Sequence, residues 1–131
     1  MNDAQRGHFE LPPPCMFCEI IAKRAPATVL ASWLGALVIE PLNPVTLGHV
    51  LVVPREHLTD WADPGVGEQD WRGLDFAVAL ARKYVQTEGI GDCNLITSRG
   101  PAATQTVRHL HLHIVPRRDG DGLALPWTGQ S

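Results

Sequence analysis

The sequence has too few cysteines to form a disulfide framework. There are three in 131 residues, an odd and low number, whereas small disulfide-stabilised domains carry several pairs. Long apolar runs are also missing, because the longest runs, such as residues 36–39 and 50–53, are far too short to cross a bilayer. The first ten residues are polar and contain no apolar signal core. We therefore expect a soluble, cytoplasmic protein without a membrane partner.

An excess of charge of one sign is absent as well. The net formal charge is −3 and 19% of the residues are charged, so a general electrostatic attraction to nucleic acid is not expected. A local group of three arginines, Arg108, Arg117 and Arg118, could still bind phosphate groups. Hydrophobic residues make up 44% of the chain, which is ordinary for a globular domain. We expect one folded domain over residues 15–118, between a flexible N-terminal tail at 1–14 and a C-terminal tail at 119–131.

Short apolar, β-branched segments separated by turn residues predict most of the strands. They cover residues 28–33, 36–39, 49–53 and 94–97, and a fifth strand runs through residues 109–115. Helices are predicted at 17–23 and 68–88. The buried face of the longer helix is predicted from three- and four-residue spacings to consist of Trp71, Leu74, Val78, Ala81 and Val85. The pattern indicates an α+β fold, a mainly antiparallel five-stranded sheet with one long helix and a short N-terminal helix.

Three histidines alternate with leucines at His109, His111 and His113. This alternation has the period of a strand, so the imidazoles should share one face and the aliphatic side chains the other. The outer two histidines of such a strand are about 13 Å apart, because each residue advances the chain by about 3.3 Å. They can hardly bind one metal ion together, since zinc–nitrogen bonds are only about 2.0–2.1 Å long. Three buried structural histidines would be the ordinary alternative, but strict alternation favours acid, base or nucleophile roles.

A Cys-x-x-Cys pair at Cys15 and Cys18 has three interpretations from the residues alone. It can be a redox pair, although no thioredoxin-like βαβ pattern surrounds it. It can be two unrelated buried thiols. It can also be half of a structural zinc site that histidines from elsewhere in the chain complete.

The segment from His109 to Val115 resembles the signature of the histidine triad (HIT) family, which is His-φ-His-φ-His-φ-φ with φ apolar. The resemblance extends from Cys15 to Arg118. It includes Gln105-Thr106-Val107 before the signature, Pro116-Arg117 after it, and the segments Cys15-Met16-Phe17-Cys18-Glu19-Ile20-Ile21 and Gly48-His49-Val50-Leu51-Val52-Val53-Pro54-Arg55.

The resemblance implies cleavage or transfer of nucleotides at an α-phosphate, on a dinucleoside polyphosphate or a nucleoside phosphoramidate. By this resemblance His111 is the nucleophile and forms a covalent nucleotidyl-histidine, while the carbonyl of His109 fixes its tautomer. The implied substrate-binding residues are His113, Gln105, Thr106, His49 and Ser98. The resemblance also implies a structural Zn²⁺ bound by Cys15, Cys18, His57 and His109, with no metal required for the chemical step. Family members also imply a homodimer.

Three positions depart from the family pattern, all around the expected nucleoside and phosphate pocket. Pro41 stands where the family usually has an Asp or Asn that binds the ribose hydroxyls, and Glu40 would replace it only through a register shift. Ser98 stands where the family often has Asn, and Thr104 where it usually has Gly. The leading hypothesis is a nucleotide hydrolase or transferase. The alternatives are a nucleotide-binding regulatory protein with little turnover and a zinc-dependent hydrolase.

Overall fold

A computed structural model of the protein describes residues 15–65 and 72–128. The predicted tail at residues 1–14, the first four residues of the predicted long helix and the last three residues of the C-terminal tail lie outside the described residues. In chain order the elements are α1 (Met16–Ile21), β1 (Val29–Ser32), β2 (Ala36–Ile39), β3 (Val50–Pro54), α2 (Arg72–Thr87), β4 (Cys93–Ile96), a 3₁₀ turn (Pro101–Ala103) and β5 (Leu112–Pro116).

The five strands form one antiparallel sheet in the order β1-β2-β3-β5-β4. This confirms the predicted α+β fold with one long and one short helix. Every predicted strand except the fifth lies within one or two residues of its observed bounds, because proline and glycine mark the ends of the apolar segments. Among the described residues, no helix is both long and apolar enough to cross a bilayer.

Both faces of the sheet are covered, which explains why β2 and β3 are apolar at every position. On one face, alternate residues of β2, β3 and β5 pack against α2: Ala36, Val38, Val50, Val52, Leu112 and Ile114. On the opposite face, the intervening residues of β2 and β3 pack against Phe17 of α1: Leu37, Ile39, Leu51 and Val53. We call this second side the histidine face, because the triad rings contact Phe17 there.

Small residues form the centre of the buried face of α2, which differs from the prediction. The buried positions are Gly73, Ala77, Leu80 and Ala81. Ala81 is buried as predicted, whereas the predicted Leu74, Val78 and Val85 pack against the core but are only partly buried. A Cβ atom at Gly73 would lie 2.6 Å from Cδ1 of Leu58, so only glycine permits this close approach. The spacing of large apolar residues therefore placed the face about one position away from its true centre. Trp71 lies outside the described residues.

The fifth strand begins later than predicted. It starts at Leu112, so His109 and His111 precede the strand and only His113 lies in it. The pairing of Val52 with Leu112 would continue to Pro54 and Leu110, but proline has no N–H to donate to a ladder. The N–H of Leu110 instead donates to the carbonyl of Leu58, at 2.6 Å. The predicted separation of faces is nevertheless correct, since Leu110, Leu112 and Ile114 all belong to the core beneath α2.

Candidate active site and metal centre

Two cysteines and two histidines converge at one end of the histidine face. The side chains are Cys15, Cys18, His57 and His109, and their potential ligand atoms all lie within 4.8 Å of one another. The Sγ atom of Cys18 is 3.2 Å from Nδ1 of His57 and 3.5 Å from Nδ1 of His109, and the Sγ atom of Cys15 is 3.3 Å from the latter. Tetrahedral zinc with its usual bond lengths places sulfur and nitrogen ligands about 3.6 Å apart. The four residues therefore fit a structural zinc ion in donor type and separation.

The short helix α1 brings the two cysteines together. Cys15 is the N-cap residue of α1, and its sulfur accepts a hydrogen bond from the N–H of Cys18, at 3.4 Å. Burial and, after it, the neighbouring sulfur of Cys15 together raise the pKa of the Cys18 thiol to about 11. Both thiols must lose their protons to bind a metal ion, so zinc binding here would release protons.

The tautomer of His109 is fixed by the main chain of β3. Its Nε2 donates to the carbonyl of Pro54, at 2.9 Å, which leaves the lone pair of Nδ1 directed at the two sulfurs. A ligand histidine whose other nitrogen bonds to a carbonyl is typical of zinc sites. Burial lowers the pKa of His109 to about 4, although the bond to Pro54 opposes that shift. The ring is thus neutral near pH 7, as a metal ligand must be.

His111 is oriented by the same residue through its main chain. Nδ1 of His111 lies 2.8 Å from the carbonyl oxygen of His109. The carbonyl can only accept, so Nδ1 carries the proton and the lone pair is on Nε2. The ring is half-buried and lies edge to face with Phe17, at a centroid distance of 5.1 Å. His111 is not part of the group of four potential metal ligands, and among residues 15–65 and 72–128 no hydrogen bond to its Nε2 is found.

His49 and His113 form a second pair of ordered imidazoles. The N–H of Val45 donates to Nδ1 of His49, at 3.1 Å, so the proton of the neutral His49 ring is on Nε2. That nitrogen is 3.0 Å from Nδ1 of His113, which must accept. The remaining proton of His113 is then on Nε2, and its ring centroid lies 5.1 Å from that of His111. Burial lowers the pKa of both rings, that of His113 to about 4.

Gln105 is buried and holds the loop before the triad together. Its Nε2 donates to the carbonyls of Thr59, at 2.6 Å, and Val107, at 3.1 Å, while its Oε1 accepts from the N–H of Gly100, at 2.9 Å. Both amide protons are therefore used, one by the segment after β3 and one by the loop itself. A direct contact from this amide N–H to a phosphate, as the family resemblance implies, requires one of those bonds to break first.

The remaining predicted substrate residues lie on either side of the same loop. Thr106 is exposed and directly follows Gln105, while Ser98 is half-buried at the start of the loop. The structure brings both into the segment that connects β4 to the triad. Their contact with substrate stays a prediction.

Glu40 directly follows β2, and its side chain is exposed. Side chains alternate along a strand, and Leu37 and Ile39 lie on the histidine face, so we expect Glu40 on the opposite side. Its charge also contributes to raising the pKa of Tyr84 in α2, after burial and Glu88. Both observations disfavour the suggested register shift, which stays a prediction.

Four of the five N–H groups of Arg117 are used in bonds within the protein. Its guanidinium donates to both carboxylate oxygens of Asp121, at 2.8 and 3.1 Å, to Asn94, at 2.8 Å, and to the carbonyl of Leu123, at 2.9 Å. It fixes the segment after β5 to the sheet. Arg108 and Arg118 are exposed.

Sequence reasoning missed two residues that shape the site. Phe17 contacts the rings of both His109 and His111, with centroid distances of 5.8 and 5.1 Å. Its position between the two cysteines was a usable signal. The N–H of Val45, which sets the tautomer of His49, gives no signal in the sequence, because any residue except proline carries that donor.

An open antiparallel sheet with a histidine nucleophile candidate at the start of one strand, beside a second histidine pair, defines a histidine-triad type of domain. The family model of the HIT domain matches residues 22–120, and the chain belongs to this family. An uncharacterised HIT-like protein of Mycobacterium tuberculosis (strain H37Rv) is 38% identical over 113 residues, covering 86% of this chain and 77% of the relative. Adenosine 5'-monophosphoramidase of Saccharomyces cerevisiae is 28% identical over 120 residues, covering 88% and 71%.

Solved structures show the same fold. A HIT family hydrolase from Clostridium thermocellum is 32% identical with a TM-score of 0.73, covering 88% of this chain and 100% of that one. A zinc-bound histidine triad family protein from Mycobacterium smegmatis is 33% identical with a TM-score of 0.68, covering 85% and 80%.

Proposed function

We propose that the protein cleaves nucleotides at an α-phosphate, with Nε2 of His111 as the nucleophile. The observation that supports this most is the 2.8 Å bond between Nδ1 of His111 and the carbonyl of His109. In the neutral ring this bond leaves the lone pair on Nε2, and that tautomer is the reactive form of a histidine nucleophile with Nε2 as the attacking atom. The relative from S. cerevisiae is named an adenosine 5'-monophosphoramidase, so adenosine 5'-phosphoramidate is the first substrate to test. A dinucleoside polyphosphate is the second.

The reaction has two displacements at phosphorus. Nε2 of His111 forms a bond to phosphorus, and the leaving group departs with the electrons of its own bond to phosphorus and takes up a proton. Water then attacks the same phosphorus, the bond to Nε2 breaks, and a nucleoside monophosphate is released. The His111 ring is cationic while the adduct exists, and the His109 carbonyl stabilises that charge through the Nδ1 proton.

His113 contributes a hydrogen-bond donor to the phosphoryl oxygens in this proposal. Because its Nδ1 accepts from His49, its Nε2 proton is the one that can reach an oxygen of the substrate. Such a donor stabilises charge that develops in the transition state. Thr106 would contact the leaving group, and Ser98 would contact the nucleoside. Gln105 would hold the loop that carries Thr106 in place.

We further propose that Cys15, Cys18, His57 and His109 bind a structural zinc ion. Four protein ligands complete a tetrahedral site and leave no position for substrate, which disfavours the zinc-dependent hydrolase. When bound, the ion would join α1 to the segment before β5. We also propose that the protein is a homodimer and is located in the cytoplasm. The dimer is supported by the edge strand β4, because its apolar side chains Leu95 and Ile96 are 52% and 36% exposed.

The test is hydrolysis of adenosine 5'-phosphoramidate by zinc-loaded wild type and His111→Ala, with AMP release followed by chromatography. The variant should lose at least about a thousandfold in kcat, since removal of a nucleophile abolishes the covalent route. Quenching of the wild type during turnover should also trap an acid-labile nucleotidyl adduct that His111→Ala does not form. Equal rates in the two proteins would refute the proposal. Tight AMP binding without turnover over a panel of adenylated and guanylated compounds would favour the regulatory alternative.

A further inference from the structure

The segment from His109 to His111 lies outside the strand ladder and is held by other bonds. Its N-terminal half is fixed by the carbonyls of Pro54 and Leu58, which accept from the first histidine ring and from the leucine N–H. Its C-terminal half is fixed by a side chain. Oγ1 of Thr97 donates to the carbonyl oxygen of His111, at 2.8 Å.

Thr97 lies where the pairing of β4 with β5 has ended. The last pair of that ladder is Ile96 with His113, and Thr97 directly follows β4. Its hydroxyl extends the attachment by one more bond, to the main chain of His111 itself. The His111 ring has its own anchor only two residues back, at the His109 carbonyl. A shift of the main chain at His111 would therefore change the geometry of that anchor as well.

We propose that Thr97 is a positioning residue, which fixes the main chain of His111 so that its ring keeps the bond to the His109 carbonyl. Thr97 would contact neither substrate nor metal, and it would act only through His111. The effect on turnover rests on the proposed function, whereas the effect on the ring of His111 does not. Positioning errors of about 1 Å at a reacting group cost up to about a hundredfold in rate.

Thr46 provides a matched control, because its side chain also bonds to the main chain of the β5 segment. Oγ1 of Thr46 donates to the carbonyl oxygen of Pro116, at 3.1 Å, so it attaches the opposite end of β5 by the same kind of bond. Thr97→Val and Thr46→Val each remove one hydroxyl and preserve the shape of the side chain. Thr97→Ser keeps the hydroxyl and should restore the wild-type behaviour.

The kinetic test compares kcat and KM of the four zinc-loaded proteins with adenosine 5'-phosphoramidate. We expect Thr97→Val to lose at least about tenfold in kcat with KM within about twofold, because positioning affects the transition state more than binding. Thr97→Ser and Thr46→Val should stay within about threefold of the wild type. Equal losses in the two valine variants would assign Thr97 a general structural role and overturn the proposal.

The spectroscopic test needs no substrate. Nitrogen-15 NMR of the histidine side chains in the zinc-loaded proteins reports the Nδ1 proton of His111 and its exchange with water. We expect this exchange to be at least about tenfold faster in Thr97→Val than in the wild type, Thr97→Ser or Thr46→Val. An unchanged exchange rate would overturn the proposal. If the wild type turned over no substrate, the proposed function would fail while this measurement still decided the role of Thr97.

Discussion

Replacement of Thr104 by glycine should make the protein more stable. Thr104 ends the 3₁₀ turn with φ 70° and ψ 23°, in the left-handed region. This region is unfavourable for residues with a Cβ atom and most of all for β-branched ones. This strain lowers stability by about 1–2 kcal/mol, and glycine avoids it because it has no Cβ atom. The side chain is exposed, so its removal leaves no cavity.

The net gain is smaller than the strain, because glycine also makes the unfolded chain more flexible. That effect opposes folding by about 0.4–1 kcal/mol. We expect Thr104→Gly to raise the free energy of unfolding by about 0.5–1 kcal/mol, which corresponds to a rise in Tm of about 2–4 °C for a domain of this size. Urea unfolding followed by circular dichroism, at one fixed concentration of free zinc, measures the difference.

Thr106→Gly is the matched control for this measurement. Thr106 is also exposed, but it is not among the residues with a positive φ. The same substitution there should lower stability by about 0.4–1 kcal/mol, through the unfolded chain alone. If both glycine variants lost stability equally, the strain at Thr104 would not exist and the reasoning would be wrong.

Two further predictions concern zinc and pH. Elemental analysis should find about one zinc per chain in the wild type and a small fraction of that in Cys18→Ser. When the free zinc concentration is about 1,000 times the Kd, zinc binding should raise the free energy of unfolding of the wild type by about 4 kcal/mol. Cys18→Ser should show no such gain. Stability of the metal-free protein should fall as the pH drops from about 6.5 to about 4, because burial lowers the folded-state pKa of His113 and His109 to about 4 and the unfolded chain takes up protons first. Urea unfolding at several pH values measures this slope, which should become shallower in His113→Gln; an equal slope would contradict the assignment.

The sequence predicted the sheet well because its signals are local. Short apolar, β-branched segments and the prolines and glycines between them can be recognised from neighbouring residues alone, so β2 was located without error and the other early strands to within one residue. The start of β5 was not predictable in this way. It depends on Pro54 of a different strand, which has no N–H to pair with Leu110. The buried face of α2 was predicted only in part for a similar reason: Ala81 is buried as predicted, but the burial of Gly73 depends on its contact with Leu58, which follows a different strand.

The parts of the candidate site that consist of side chains could be predicted from the sequence. The main-chain groups that orient those side chains could not. The resemblance placed Cys15, Cys18, His57 and His109 in one zinc site, and the structure brings them together. The hydrogen bonds that set the tautomers are made to main-chain carbonyl or N–H groups. Because nearly every residue type has these groups, the sequence does not indicate where such bonds form. Gln105 illustrates the difference, because its type suggested a ligand contact while its amide holds the loop.

His109 connects the two halves of the site through three different atoms. Its Nδ1 faces the sulfurs of the metal site, its Nε2 donates to Pro54, and its carbonyl accepts from His111. Replacement of His109 therefore removes a ligand and a bond to β3 at once, and its effect on activity cannot be assigned to zinc. Replacement of Cys18 removes a ligand only, because the bond from His109 to Pro54 and the carbonyl that orients His111 do not involve sulfur. Hydrolysis of adenosine 5'-phosphoramidate by Cys18→Ser is thus the better measure of how far the proposed zinc ion supports the proposed nucleophile.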